Sequence, residues 1–245
     1  MHFVSLRSVP QIPKMLRTEL VHFVSLRSVP QRTMLATRII AIRHGETAWN
    51  VDTRLQGHLD IALNTTGVWQ AGRVAQALAG EGIDAIYASD LLRAWQTANA
   101  IAHATEAPLL PHQGLRERGF GSFEGKTYAE IESEWPEESV LWRKRVPDWA
   151  PPGGESLLTL RKRITATMNT LAQQHIGGQI VLVAHGGVLD MLYRLATGQE
   201  LQAPRSWQLG NAAINRLLWT PEGVTLVGWA DSSHLEGAAL DESST

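Results

Sequence analysis

Two histidines in this chain stand in the same local setting, each closing a short aliphatic run and each followed by glycine. Residues 38–43 read RIIAIR before His44 and Gly45, and residues 179–184 read QIVLVA before His185, Gly186 and Gly187. Near neutral pH an imidazole can attack an electrophile, move a proton or bind a metal. Arg43 directly precedes His44, and Arg93 lies shortly after a third aliphatic run, Asp84–Ala88 (DAIYA). If the three runs end at one edge, two guanidiniums and two imidazoles make a pocket for a compact dianion, and phosphate fits best. A dication suits the same pocket poorly: the arginines repel it, and no third ligand stands at useful spacing. Taken singly, a buried histidine is more often a hydrogen-bonded core residue, and i,i+4 pairing explains one helical arginine as well as phosphate does. The repeated strand-His-Gly design favours chemistry over those plainer readings.

The elements that must position these residues can be read from periodicity. Continuous β-branched and aliphatic runs bounded by glycine suit parallel strands covered on both faces, and open α/β sheets bind ligands at the carboxyl ends of such strands. Asn64-Thr65-Thr66-Gly67 reads as a helix entry, followed by Val68, Ala71, Val74, Ala75 and Leu78 at helical spacing up to Gly80 and Gly82. Ser89 is expected to cap the next helix, with Asp90 in its first turn and the helix running to about His103. A short strand is expected at 107–110, a helix over 155–175 and another over 188–196. Hydrophobic runs at 213–219 and 224–230, joined by Pro221-Glu222-Gly223, predict a hairpin, and the polar tail from Asp231 is expected to fray. Strands alternating with helices predict a three-layer α/β/α sandwich with a mostly parallel sheet and one antiparallel edge strand.

Composition narrows the classes. The chain has 245 residues, net charge −2 and 44% hydrophobic residues, which suits one globular α/β domain and neither a nucleic-acid binder nor a membrane-surface protein. Without cysteine there is no disulfide scaffold, thiolate metal site or cysteine nucleophile. No apolar run is long enough to span a bilayer and no secretory signal is evident, so a cytoplasmic location is expected. Residues 1–33 are set apart: His2–Gln11 (HFVSLRSVPQ) recurs letter for letter as His22–Gln31. That identity suggests a recent duplication upstream of a true start at Met34, giving a non-native or disordered extension (1–33), a domain (34–235) and a polar tail (236–245). Within the domain, 120–153 is rich in glycine, proline and tryptophan and reads as a lid-like insertion. Trp135, Trp142 and Trp149 recur every seventh residue, but intervening prolines forbid one continuous helix, so core or lid packing is expected. Arg143-Lys144-Arg145 reads as a solvated face.

Several blocks, in order, resemble the histidine phosphatase superfamily, also called the phosphoglycerate mutase-like family. They are Arg43-His44-Gly45-Glu46-Thr47 with Asn50, Ser89-Asp90-Leu91-Leu92-Arg93-Ala94, Leu115-Arg116-Glu117 with Phe120-Gly121, Pro152-Gly153-Gly154-Glu155-Ser156, Ala184-His185-Gly186-Gly187 and Asn211-Ala212-Ala213-Ile214. The resemblance implies that His44 attacks phosphorus and becomes phosphohistidine. It implies that Arg43, Arg93 and His185 neutralise the phosphoryl oxygens, and that Glu117 is the general acid and then base. Asn50, Gln56, Gly57 and Gly186 are expected to line the phosphate pocket. To attack, His44 must be neutral, and the two arginines should hold its pKa down. A bound dianion beside Glu117 would favour the protonated form that an acid needs. Glu46 and Glu124 are competing carboxylates. No cofactor is expected, and the partner is a small phosphorylated metabolite. The stretch Glu117-Arg118-Gly119-Phe120 and the short insertion resemble the phosphatases more than the mutases of the family. A phosphomonoesterase is therefore favoured, with mutase-type phosphoryl transfer as the alternative and a non-catalytic phosphate-binding protein as the remote one.

Overall fold

Residues 36–236 are described by the structure, a computed structural model; the duplicated segment and the last residues of the tail lie outside them. Six strands form one sheet: β1 (Thr37–Arg43), β2 (Ala85–Ala88), β3 (Leu109–Pro111), β4 (Gln179–Ala184), β5 (Ile214–Thr220) and β6 (Gly223–Asp231), in the order β3-β2-β4-β1-β5-β6. The first four pair in parallel, whereas β5 is antiparallel to both β1 and β6. The single reversed strand therefore lies one place in from the edge. The two-residue connection Pro221-Glu222 folds β6 back beside β5, which leaves β6 as the edge.

Alternate residues of β1 explain the layers, since successive side chains of a strand point to opposite faces. Ile39 and Ala41 pack under α6 (Leu157–Gln173) and α7 (Gly186–Thr197), with Ile164, Met168 and Leu192. Ile40 and Ile42 pack under α2 (Thr65–Leu78) and α3 (Leu92–Thr105), with Val74, Leu78 and Ile101. Each of these fully buried isoleucines contributes roughly 2 kcal/mol by leaving water, which fixes β1 as a central strand.

Several boundaries differ from the expected ones. β3 covers Leu109–Pro111, and α6 begins at Leu157 with Ser156 as its cap. Residues from Asp231 do not fray as far as Glu236. Asp231 closes β6, and a short 3-10 turn (Ser233–Leu235) is held by Arg73 Nε donating to the His234 carbonyl at 2.8 Å. In the 120–153 region a 3-10 turn (Gly121–Phe123) precedes α4 (Tyr128–Glu134) and α5 (Pro136–Arg143), with a four-residue helix α1 (Ala48–Val51) earlier in the chain. Pro136 starts α5 and separates it from α4, as a proline at a first helical position does. Trp135, Trp142 and Trp149 all ring Phe123, with centroid separations of 5.4, 5.7 and 6.0 Å, so the tryptophans make a small core of their own.

Candidate active site

β1 and β4 are neighbours in register, Arg43 opposite Ala184, and the His44 amide donates to the Ala184 carbonyl at 3.0 Å. Both histidines thus leave the sheet at the same level, and their rings lie 5.2 Å apart between centroids. His44 is buried, and its Nδ1 donates to the Gly45 carbonyl at 2.7 Å. A carbonyl only accepts, so the proton sits on Nδ1 and the lone pair of Nε2 is left for chemistry. His185 Nε2 meets Ser89 Oγ at 2.8 Å, and Ser89 Oγ also accepts from the Leu91 amide at 3.3 Å. A hydroxyl can accept from two donors at once, so either partner can donate in the Ser89–His185 pair, and His185 Nδ1 is a buried atom with no partner among the described residues.

Ser89 is therefore not the cap of α3. Asp90 is occupied by a bidentate pair with Arg116 (2.7 and 2.6 Å), so the helix starts only at Leu92, whose amide donates to Asp60 Oδ1 at 2.6 Å. The shift puts Arg93 in the first turn of α3, fully buried, where it donates to the carbonyls of Leu59 (2.9 Å) and Gly57 (2.8 Å). Burial pulls its pKa down to about 10, which leaves it charged at neutral pH. Gly57 has φ +52°, and a Cβ there would sit 2.1 Å from Glu124 Oε1, so only glycine allows this turn.

Glu117 also reaches this edge. α7 begins at Gly186 rather than Val188, which exposes the Gly187 amide at the helix N-terminus. That amide donates to Glu117 Oε1 at 3.0 Å and to Oε2 at 3.2 Å, while the Arg118 amide donates to Oε1 at 2.8 Å. The positive end of α7 therefore holds the carboxylate. The backbone behind it is clamped by Arg163, which donates to the carbonyls of Gly114, Arg116 and Glu117 while paired with Glu155, and by His58 Nε2 at 2.8 Å from the Glu117 carbonyl. The competing carboxylates are engaged elsewhere. Glu46 accepts from Asn64 Nδ2, and Glu124 accepts from the amides of His58 and Phe120.

These groups line a cavity of about 840 Å³, within the roughly 300–1,000 Å³ of small-molecule sites. Arg43, His44, Asn50, Gln56, Arg93, Glu117 and Gly186 all line it, whereas His185 forms the wall behind His44 and Gly57 enters only through its carbonyl on Arg93. Asn50 is partly committed: its Oδ1 accepts from the Thr47 amide in a capping box at α1 and from Asn211 Nδ2 at 3.3 Å. Arg43 Nε, Gln56 Oε1, Arg93 Nε and His185 Nδ1 are buried without a hydrogen-bond partner among the described residues. Leaving a buried polar group unpaired costs about 1–3 kcal/mol, so two unpaired guanidinium donors, Arg43 Nε and Arg93 Nε, on one cavity are a signal for an anion.

Similarity to known proteins identifies the family. The model of the "Histidine phosphatase superfamily (branch 1)" matches residues 39–232. The chain belongs to that superfamily. Phosphoglycerate mutase-like protein 4 of Arabidopsis thaliana is 39% identical over 202 residues, 81% of this chain and 86% of that one. A probable phosphoglycerate mutase GpmB of Proteus mirabilis is 36% identical over 214 residues, 84% of this chain and 98% of that one. Among solved structures, Bacillus stearothermophilus YhfR superposes with a TM-score of 0.75 at 28% identity, covering 82% of this chain and all of that one. A mycobacterial glucosyl-3-phosphoglycerate phosphatase solved with VO3 gives a TM-score of 0.69 at 32% identity, with coverage of 80% and 99%. This superfamily member has no helix, among the described residues, long and apolar enough to cross a membrane.

Residues of the site that sequence patterns do not single out fall into two groups. Ser89 and Asn211 stand inside blocks already noted, but their bonds to His185 Nε2 and to the His44 carbonyl (2.9 Å) are visible only in three dimensions. Arg145 is not on the solvated face that its neighbours Arg143 and Lys144 suggest. Instead it turns inward to pair with Asp190 at 2.7 Å and lines the cavity, because its backbone takes φ +52° at the end of α5. Arg205, in the loop after α7, carries no sequence signal at all.

Burial gives the superfamily member a pH dependence. Desolvation, then Arg93 and Arg43, holds His44 well below its usual 6.5, and desolvation, then Arg93, lowers His185 likewise. Between 6.5 and those lowered values the unfolded chain binds protons that the folded chain refuses, so stability falls as pH falls. Each histidine contributes a slope of about 1.4 kcal/mol per pH unit in that window. Urea unfolding at pH 7.5, 6.5 and 5.5 should show the loss beginning near 6.5, and His185→Ala should shallow the slope by about one proton. An unchanged slope would show that His185 is not held neutral.

Proposed function

We propose that this histidine phosphatase hydrolyses phosphomonoesters through a phosphohistidine on His44. One arrangement carries the proposal. A buried imidazole with its proton fixed on Nδ1 shares a cavity with a helix-held carboxylate and with two arginines whose Nε atoms lack partners. His44 Nε2 attacks phosphorus in line, the ester P–O bond breaks, and Glu117 gives its proton to the leaving oxygen. Arg43, Arg93 and His185 hold the equatorial oxygens, supplying the positioning and charge stabilisation that phosphoryl transfer mainly needs. Water then attacks the phosphohistidine, Glu117 takes its proton, and the N–P bond breaks to release phosphate. Gln56 Oε1 can accept from a protonated phosphate oxygen or a substrate hydroxyl, while Asn50, Gly57 and Gly186 shape the pocket.

The relatives named as phosphoglycerate mutases favour a second reading, in which the phosphoryl group returns to a substrate rather than to water. Exposed Arg143, Arg205 and Tyr128 line the cavity and leave a polar, wettable mouth, which supports hydrolysis. Incubation with p-nitrophenyl phosphate should release phosphate, and incubation with 3-phosphoglycerate should give no 2-phosphoglycerate. The reverse pair of results overturns the phosphatase reading in favour of the mutase.

A further inference from the structure

The Pro152-Gly153-Gly154-Glu155-Ser156 block takes no part in the chemistry above. Neither Glu155 nor its partner Arg163 lines the substrate cavity; both lie with His58 against a separate cavity of about 690 Å³. The chain before Glu117 forms only a 3-10 turn (Gln113–Leu115) and then irregular backbone, whose carbonyls need partners from elsewhere. Arg163, in the second turn of α6, supplies them. All five of its N–H groups are engaged. Nη1 donates to the carbonyls of Gly114 (3.0 Å) and Arg116 (2.8 Å), Nη2 to the Glu117 carbonyl (3.2 Å) and Glu155 Oε2 (2.6 Å), and Nε to Glu155 Oε1 (3.0 Å). Glu155 continues along the same loop with its own backbone. Its carbonyl accepts from Arg118 Nε and its amide donates to the Gly119 carbonyl, both at 2.7 Å. Glycines let the two segments meet this closely: a Cβ on Gly154 would stand 2.8 Å from the Gly119 carbonyl oxygen, and one on Gly121 2.2 Å from that of Pro152. Glu155 thus holds the chain on both sides of Glu117.

A plainer reading is an ion pair that ties α6 to a loop, and partly exposed pairs contribute little stability. The placement of the bonds argues for more. The Gly187 and Arg118 amides grip the Glu117 carboxylate at its tip, and Arg163 grips the peptide at its base. A side chain fixed at both ends has few positions left to it. We propose that Glu155 and Arg163 are positioning residues for proton transfer by Glu117: they touch no substrate and act by fixing the backbone from which the carboxylate projects. This role rests on the reading of Glu117 as the proton donor and identifies what keeps that donor in place.

The test compares kcat and KM of the full chain and of its Arg163→Gln, Arg163→Lys and Glu155→Gln variants on glycerol 3-phosphate and p-nitrophenyl phosphate. Only the first ester needs a proton for its leaving group to depart. Arg163→Gln should therefore lose about tenfold in kcat on glycerol 3-phosphate and little on p-nitrophenyl phosphate, with KM hardly changed. That loss is a part of the roughly 10²–10⁴-fold that general acid catalysis supplies, because His58 still holds the Glu117 carbonyl. Arg163→Lys, with three donors, should recover some of it. Glu155→Gln keeps its backbone bonds but loosens Arg163, so it should show the same bias on a smaller scale. An unfolded fraction lowers both activities by one factor and cancels in their ratio, so the ratio separates positioning from stability. Should Arg163→Gln fail to fold, Glu155→Gln carries the same comparison. Equal losses on the two esters in these variants, beside a biased Glu117→Gln, overturn the positioning role alone. An unbiased Glu117→Gln overturns it together with the assignment of Glu117 as proton donor.

Discussion

The His44→Ala protein is expected to lose p-nitrophenyl phosphate hydrolysis by about 10⁴-fold or more, the scale on which removing a covalent nucleophile acts. The expectation is large because the site offers no substitute. Among the ionisable groups of the cavity's phosphoryl end, Arg43 and Arg93 are cations, and Glu117 is held through its carboxylate oxygens by the α7 N-terminus. His185 keeps Nε2 on Ser89 and is not among the residues that line the cavity, so it is not placed to attack phosphorus in the place of His44. Loss of turnover alone would also follow from a collapsed pocket. A brief exposure to substrate, followed by denaturation, separates the two explanations. The unsubstituted protein should retain a phosphoryl label that is lost in acid and kept in base, as an N–P bond behaves, and His44→Ala should retain none. A variant that turns over at full rate, or a label that survives on it, would remove His44 from the mechanism.

The parts of this arrangement that are legible in the sequence are those that depend on near neighbours in the chain. An aliphatic run ending in His-Gly states its own burial and its own exit, which is why residue order alone suffices to put His44 and His185 on one edge. The layers follow from the same runs alternating with helical spacing. Arg93 needs only the strand before it. What is not legible depends on contacts between distant segments. Ser89 looks like a cap because serine before a helix usually is one, and only the Arg116 pair on Asp90 shows why the helix starts two residues later. Arg145 belongs to a basic triplet that resembles any solvated surface, and its inward turn depends on Asp190, 45 residues away. The position of the one reversed strand escapes a local reading for a similar reason. A hairpin is visible locally, but which of its two strands joins the sheet is settled by β1.

Gly187→Ala is expected to lower turnover of alkyl phosphomonoesters by about 10²-fold or more without unfolding the protein, because its effect is aimed at one carboxylate. A Cβ at this position would stand 2.4 Å from Glu117 Oε1, closer than Cβ atoms approach any neighbour, while the carboxyl carbon at 3.4 Å is at ordinary contact distance. Gly187 is helical and does not have the positive φ that would make alanine a backbone problem, so the carboxylate must move. A displacement of about 1 Å in a catalytic group is enough for a loss of this size, and general acid catalysis as a whole contributes roughly 10²–10⁴-fold. The leaving group reports the cause. An alkoxide needs a proton in order to depart, whereas p-nitrophenolate leaves readily without one, so the variant should be much less impaired on p-nitrophenyl phosphate than on glycerol 3-phosphate. Glu117→Gln should show the same bias. A double-mutant cycle completes the argument, since residues in contact are not additive: in a Glu117→Ala background there is no carboxylate to displace, and Gly187→Ala should cost little more. Equal losses on both esters, or a full further loss in the Glu117→Ala background, would mean that the clash acts on the pocket at large and that Glu117 is not the proton donor.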